Sequence, residues 1–105
     1  INGDGNQTRD FVYVKDIAKA NTLAFLSDVK NETINVSSNS STSINDLFCL
    51  IKNATNYSKK ANYTKARIGD IRHSILNNNK LMKLLKFKPS SNLKQNIENM
   101  TKIYC

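Results

Sequence analysis

Between residues 43 and 55 the apolar positions Ile44, Leu47, Phe48 and Ile51 fall at i, i+3, i+4 and i+7, a spacing that predicts an amphipathic helix. Ser43 followed by Asp46 supplies a capping-box pattern at its start, and the polar stretch Asn56 to Lys60 ends it. A weaker helical period runs from Ile17 to Ser27, with Ile17, Ala20, Leu23 and Ala24 on the expected core side and Asp16 placed to cap or charge its first turn. Leu81, Leu84 and Leu85 mark a short helix that must stop before Pro89. Ser91 can cap a last helix with Leu93, Ile97, Met100 and Tyr104 on its apolar face. Three other stretches read as extended. Arg9 to Val14 and Thr33 to Val36 are rich in β-branched and aromatic residues, and Ala61 to Ala66 is a third, weaker candidate. Loops are expected at Gly3 to Gln7, at Ser37 to Thr42 and around Gly69. Short strands mixed with amphipathic helices, without an internal repeat or linker, give an α/β or mixed α/β class over a single unit, residues 1–105.

Length and composition narrow this picture. A chain of 105 residues suits one small domain or a piece of a larger one. Standing alone, it would bury roughly 65% of its unfolded surface, enough for a core with little margin. No run of about 18 apolar residues exists, so no helical membrane span is expected. The opening Ile1-Asn2-Gly3-Asp4-Gly5 resembles no signal or transit peptide and leads into a strand pattern at once, which reads as a chain entered in mid-fold.

The net charge of +8 raises the question of nucleic acid. The thirteen lysines are spread singly or in pairs such as Lys59-Lys60, without interleaved aromatics, so a solvated surface is expected rather than a nucleic-acid interface. Cys49 and Cys105 form neither a disulfide framework nor a metal pattern, which points to reduced thiols in a cytoplasmic protein.

The three arginines are distributed differently, since all lie in two short motifs. The first runs Gly3-Asp4-Gly5-Asn6-Gln7-Thr8-Arg9-Asp10-Phe11-Val12-Tyr13-Val14-Lys15-Asp16-Ile17-Ala18, and the second Arg67-Ile68-Gly69-Asp70-Ile71-Arg72-His73-Ser74. Gly3-Asp4-Gly5 opens a strand rather than a helix and lacks a third glycine, so it is not a dinucleotide fingerprint. Together with Ile34-Asn35-Val36 and Ser43 to Leu47 between them, in this order, the motifs resemble the C-terminal part of the extended short-chain dehydrogenase/reductase family, NAD-dependent epimerases and dehydratases acting on nucleotide sugars. The Arg-x-Gly-Asp-x-Arg-His-Ser form is most similar to UDP-sugar 4-epimerases for glucose-type or N-acetylglucosamine-type substrates. Sister dehydratases and decarboxylases, or a non-catalytic truncated module, are the alternatives.

The resemblance implies a Rossmann-type fold whose dinucleotide-binding sheet lies in an N-terminal part outside this chain. It implies NAD as cofactor, bound by that part, and a homodimer when complete. It also implies that Arg9 and Arg67 grip the UDP diphosphate, that Asp70 meets the ribose, and that Phe11 and Ile44 line the nucleotide's surroundings. A guanidinium is always charged and offers phosphate a bidentate fork, which a lysine does not. On their residues alone, pairing of Arg9 with Asp10 or Asp16, and of Arg67 with Asp70, is the competing expectation. His73 and Asp10 are expected to be structural. The family's chemistry needs a Tyr four residues before a Lys, whereas Tyr13, Tyr57 and Tyr63 are followed at that spacing by Ile17, Ala61 and Arg67. The chain alone is therefore expected to be catalytically inert. Where the family carries glycines after the Asn-Val strand, this chain has Ser37-Ser38-Asn39-Ser40, so a loop of different shape is expected there.

Overall fold

The helices follow the apolar periods closely. The computed structural model describes residues 1–104, with the order β1 (Thr8–Arg9), α1 (Val14–Leu26), β2 (Thr42–Ser43), α2 (Ile44–Thr55), α3 (Asn79–Leu85) and α4 (Leu93–Tyr104). Ser43 caps α2 as its sequence predicts: its hydroxyl oxygen accepts from the Asp46 N–H at 3.0 Å and its O–H donates to the Asp46 carboxylate at 2.7 Å. Asn56, in the left-handed region at φ 54°, closes the helix. Lys86 ends α3 in the same way at φ 52°, three residues short of Pro89.

Two caps differ from expectation. Asp16 does not cap α1, which starts two residues earlier at Val14 behind Tyr13, but it does place its charge in the first turn. The Asp16 carboxylate instead accepts the Ser90 N–H at 2.9 Å and ties the turn after Pro89 to the first turn of α1. Asn92, not Ser91, caps α4, with its side-chain oxygen accepting from Gln95 N–H at 3.1 Å. On α1, Ala20 is buried and Ile17 and Leu23 half-buried, but Ala24 is exposed. The element packed on α1 is α3, about half its length, so only one stripe of the longer helix is covered.

The extended segments shrink because a strand needs a partner edge. β1 and β2 form a two-residue antiparallel ladder pairing Thr8 with Ser43 and Arg9 with Thr42. The Arg9–Val14 strand stops at Arg9, since Asp10 to Tyr13 has no ladder partner among the described residues and Val14 turns into α1. Thr33 to Val36 pairs with no strand among the described residues, although Ile34 and Val36 pack on the core. Ala61 to Ala66 contributes one parallel bridge, Asn2 to Thr64.

The main core is small: Ala20, Leu81, Leu85 and Phe87, with Leu23, Val29, Ile34 and Val36 against it. Lys19 lies over the Phe87 ring at 5.0 Å from its centre. A second packing region joins α2 and α4. The whole measures 49 × 34 × 16 Å, a thin plate. Cys49 is exposed on α2, and Cys105 lies outside the described residues.

Candidate functional site

The two arginine motifs, some sixty residues apart in sequence, are stitched into one edge. Thr8 N–H donates to Arg72 O at 2.9 Å, Ser74 N–H returns a bond to Thr8 O at 3.2 Å, and the Thr8 hydroxyl meets His73 Nδ1 at 2.8 Å. His73 is thus a fastener between the motifs, as expected. Asp10 is structural too: one carboxylate oxygen takes both the N–H and the hydroxyl of Ser38.

The Gly3-Asp4-Gly5 turn is held from the side by Asn45, the second residue of α2. Its amide N–H groups reach Asp4 O and the Asn6 side chain, each at 3.0 Å, and its Oδ1 accepts the Tyr63 hydroxyl at 2.7 Å. Gly5 sits at φ +76°, and a Cβ there would overlap the Asn45 amide, 2.6 Å from its Cγ. The glycine therefore makes room for a side chain of this chain, not for a pyrophosphate. The N-terminus of α2 is equally committed. Ile44 N–H donates to Gln7 O, Asn45 N–H to Gly5 O, and Asp46 N–H to Ser43. Neither the glycine turn nor that helix start fits a dinucleotide.

Arg72 forks onto Asp4, at 2.8 and 3.0 Å to the two carboxylate oxygens. This hydrogen-bonded pair, helped by the Asn6 N–H, holds the Asp4 carboxyl at about 2, below its ordinary 3.8, and raises the Arg72 pKa. The folded state thus binds the Asp4 proton less tightly than the unfolded chain. The contribution is complete above about pH 4 and is lost as pH falls through about 2. We expect the melting-temperature gap between the wild type and Asp4→Asn to close progressively between pH 4 and pH 2. A gap that stays constant over that window would show that the clip adds no stability.

Arg9 pairs with neither Asp10 nor Asp16. One terminal nitrogen donates to Thr8 O at 2.7 Å, and the other meets the Asp70 carboxylate at 3.0 Å. Arg67 and Asp70 bracket the turn at Gly69, whose φ is +80°, with Asp70 N–H donating to Arg67 O at 3.3 Å. The Arg67 side chain is exposed and makes no ion pair among the described residues. Arg67, Asp70, Arg72, Gln7, Asn2 and Gly3 line a shallow cleft of ≈ 90 Å³. The structure therefore gathers Arg67, Asp70 and, through Asp70, Arg9. The other two candidates are placed differently. Phe11 lines a larger apolar groove beside α2 and α4, and Ile44 is half-buried at the start of α2, in the lining of neither cavity. The partners that sequence reasoning missed are Asp4, Asn45 and Tyr63. Nothing in the sequence linked Arg72 to Asp4, or Asn45 to Gly5 or Tyr63.

The serine loop does have its own design. Asn39, not a serine, takes the positive φ of 55°. Ser37 and Ser38 are buried, with the Ser37 hydroxyl on Leu76 O at 2.8 Å and the Asn78 amide on Ser37 O at 2.9 Å. No group of metal-binding side chains occurs among the described residues, and no helix there is long and apolar enough to cross a membrane.

Comparison with known proteins adds the following. Residues 1–37 match the NAD dependent epimerase/dehydratase family. A Methanocaldococcus jannaschii protein assigned as a UDP-glucose 4-epimerase is 43% identical over 100 residues, 95% of this chain and 32% of that protein. The crystal structure of UDP-glucose 4-epimerase with UDP-glucose from Thermotoga maritima superposes with TM-score 0.92 at 36% identity, covering 99% of this chain and 33% of that one. UDP-N-acetylglucosamine 4-epimerase from Methanobrevibacter ruminantium M1, in complex with UDP-N-acetylmuramic acid, gives 0.91 at 39% identity with the same coverage. The chain spans about a third of the length of the relatives it matches. Its mixed α/β arrangement is that of part of the epimerase fold.

Proposed function

We propose, from a chain similar along nearly all its length to individual UDP-sugar 4-epimerases, that it is the nucleotide-sugar-binding part of such an enzyme. The observation that carries this is a cleft lined by Arg67 and Asp70, with Arg9 from a distant motif paired to Asp70, in a fold shared with epimerases solved with UDP-sugars. Arg67 offers an unpaired guanidinium to a diphosphate, and Asp70, steadied by Arg9, is placed to take a ribose hydroxyl.

The shape supports a share in a larger assembly. A free-standing protein of 11.9 kDa would expose about 5,900 Å² and have a radius of gyration near 13 Å. This chain exposes 7681 Å² and has a radius of 16.1 Å. Phe25 and Leu26 at the end of α1 are almost bare. NAD is a cofactor of the family, and the residues here do not fit it, so its binding belongs to polypeptide outside this chain, in a cytoplasmic enzyme. The role of this part is orientation of the UDP end, which contributes to catalysis only when the reactive part is present.

The test is a chimera in which the 100 aligned residues of the Methanocaldococcus relative are replaced by this chain. It is expected to bind UDP and to epimerise UDP-glucose at C4, followed by NMR of the product. The isolated chain is expected to do neither at a measurable rate. A folded chimera that binds NAD but not UDP would overturn the assignment.

A further inference from the structure

The turn that the Arg72–Asp4 fork secures begins with the one Asn-Gly pair of the chain, Asn2-Gly3. Such a pair carries its own electrophile and nucleophile, the side-chain amide carbon and the next backbone nitrogen, and glycine adds no side chain to shield them. The fold favours glycine there, because Gly3 stands at φ +75°. Thr64 is what keeps the two groups apart. Gly3 N–H donates to Thr64 O at 2.9 Å, and the Thr64 hydroxyl donates to Asn2 Oδ1 at 2.8 Å. Thr64 N–H donates to Ile1 O at 2.8 Å, and the Gln7 amide holds Asn2 O at 2.9 Å. Asn2 is thereby a parallel bridge residue. Ring closure needs the Gly3 nitrogen on the side-chain side of the Asn2 Cα, whereas parallel pairing holds ψ near about +115° and turns that nitrogen away. The next pair, Asp4-Gly5, closes the same ring readily only with its carboxyl protonated, and the Arg72 fork keeps it ionised.

We propose that Asn2-Gly3 is a spontaneous deamidation site held closed by the Thr64 bridge, and that its reaction sets a carboxylate into the arginine cleft. When the bridge opens, the Gly3 nitrogen loses its proton to solvent base and attacks Asn2 Cγ. The N–Cγ bond forms, the Cγ–Nδ2 bond breaks, and the amide nitrogen leaves as ammonia with a proton taken from solvent. Water then adds to one carbonyl of the resulting succinimide and breaks its bond to the ring nitrogen, leaving aspartate or isoaspartate. Water enters and ammonia leaves, and nothing is oxidised or reduced. Asn2 lines the same cleft as Arg67, Asp70 and Arg72. Either product therefore adds a negative charge beside Asp70, which an anionic ligand meets as repulsion. The isoaspartate also lengthens the backbone and spoils the pairing of Asn2 with Thr64. The effect on the ligand rests on the reading of the cleft as a diphosphate site, whereas the deamidation itself does not.

The test follows Asn2 by peptide mass spectrometry in the chimera and in the isolated chain, each incubated at mildly alkaline pH, native and in denaturant. The bonds to Thr64 must yield before reaction, so the native rate is expected to lie about ten- to a thousandfold below the denatured one. Thr64→Val keeps the backbone bridge but loses the hydroxyl, and is expected to speed native deamidation about two- to tenfold. Thr64→Pro, which loses the N–H as well, is expected to approach the denatured rate while its helical circular dichroism is retained. If that variant loses its helices, Thr64→Val decides. Equal native and denatured rates in both proteins overturn the proposal, and so does a Thr64→Val rate equal to that of the wild type. Asn2→Asp, the product itself, is expected to raise the Kd of the chimera for UDP about two- to fivefold, an effect that shrinks in high salt, with uridine unaffected. An Asn2→Asp chimera that binds UDP as tightly as the wild type overturns the effect on the cleft. A wild-type chimera that does not bind UDP sinks the diphosphate reading instead, and the deamidation rates still decide the site.

Discussion

Gly5→Ala is expected to destabilise the chain by about 2–4 kcal/mol, the largest effect of any single methyl addition. Two separate costs combine. The left-handed backbone at φ +76° carries roughly 1–2 kcal/mol for any residue with a Cβ. The Cβ also displaces the Asn45 amide, which holds the Asp4 carbonyl, the Asn6 side chain and the Tyr63 hydroxyl, each bond worth about 0.5–1.5 kcal/mol. Gly69 separates these costs, because its φ is +80° but a Cβ there would meet nothing within 4 Å. Gly69→Ala should therefore lose only the backbone share. In thermal denaturation the Gly5 variant should melt more than about 10 °C lower, and the Gly69 variant by about half that or less. Asn45→Ala makes the argument sharper. Once the amide is gone, adding Gly5→Ala should cost little more than Gly69→Ala does, so the pair is strongly sub-additive. Equal melting points for Gly5→Ala and Gly69→Ala would mean that the Asn45 plug contributes nothing.

This plug also marks where the sequence stops being legible. Helices declare themselves locally, because the period of Ile44, Leu47, Phe48 and Ile51 and the Ser43–Asp46 cap lie within one stretch of chain. Strands do not, since their existence depends on an edge elsewhere. Thr33 to Val36 has every intrinsic feature of a strand and no ladder partner among the described residues. The Arg9–Val14 strand failed for the same reason beyond Arg9. The site was legible only as far as its motifs reached. Arg9, Arg67 and Asp70 were picked out from their two motifs, but the choice of Asp70 as the partner of Arg9 is a tertiary fact set by the Thr8–His73 seam. Phe11 and Ile44 were assigned by the resemblance alone. Phe11 lies in the apolar groove beside α2 and α4, and Ile44 is the first residue of α2, so neither lines the arginine cleft. The serine loop shows the converse. The missing glycines were visible, but a neighbouring asparagine that accepts the left-handed conformation was not weighed against them.

The sharpest expectation for the site concerns the unequal standing of its two arginines. In the chimera, Arg67→Ala should raise the Kd for UDP about 10- to 150-fold, the equivalent of about 1.5–3 kcal/mol for a charge-assisted pair. Arg67→Lys should recover only part of this, because an ammonium does not reproduce the fork. Uridine, lacking phosphates, should be nearly indifferent to both changes. Arg9 is already engaged with Thr8 O and Asp70, so its removal acts differently. It leaves the Asp70 carboxylate uncompensated beside the diphosphate, adding repulsion to the lost contact. Arg9→Ala should therefore weaken UDP at least as much as Arg67→Ala, and Asp70→Ala in the Arg9→Ala background should restore part of the UDP affinity. Asp70→Ala alone should weaken uridine and UDP alike, since a ribose contact is common to both. Lys59→Ala and Lys60→Ala, on the exposed stretch after α2, serve as controls and should change affinity only within general screening. Calorimetry with UDP and uridine across this set reads each term separately. Equal losses for the arginine and lysine variants would mean that overall charge steers the nucleotide, and the cleft would then lose its claim to the diphosphate.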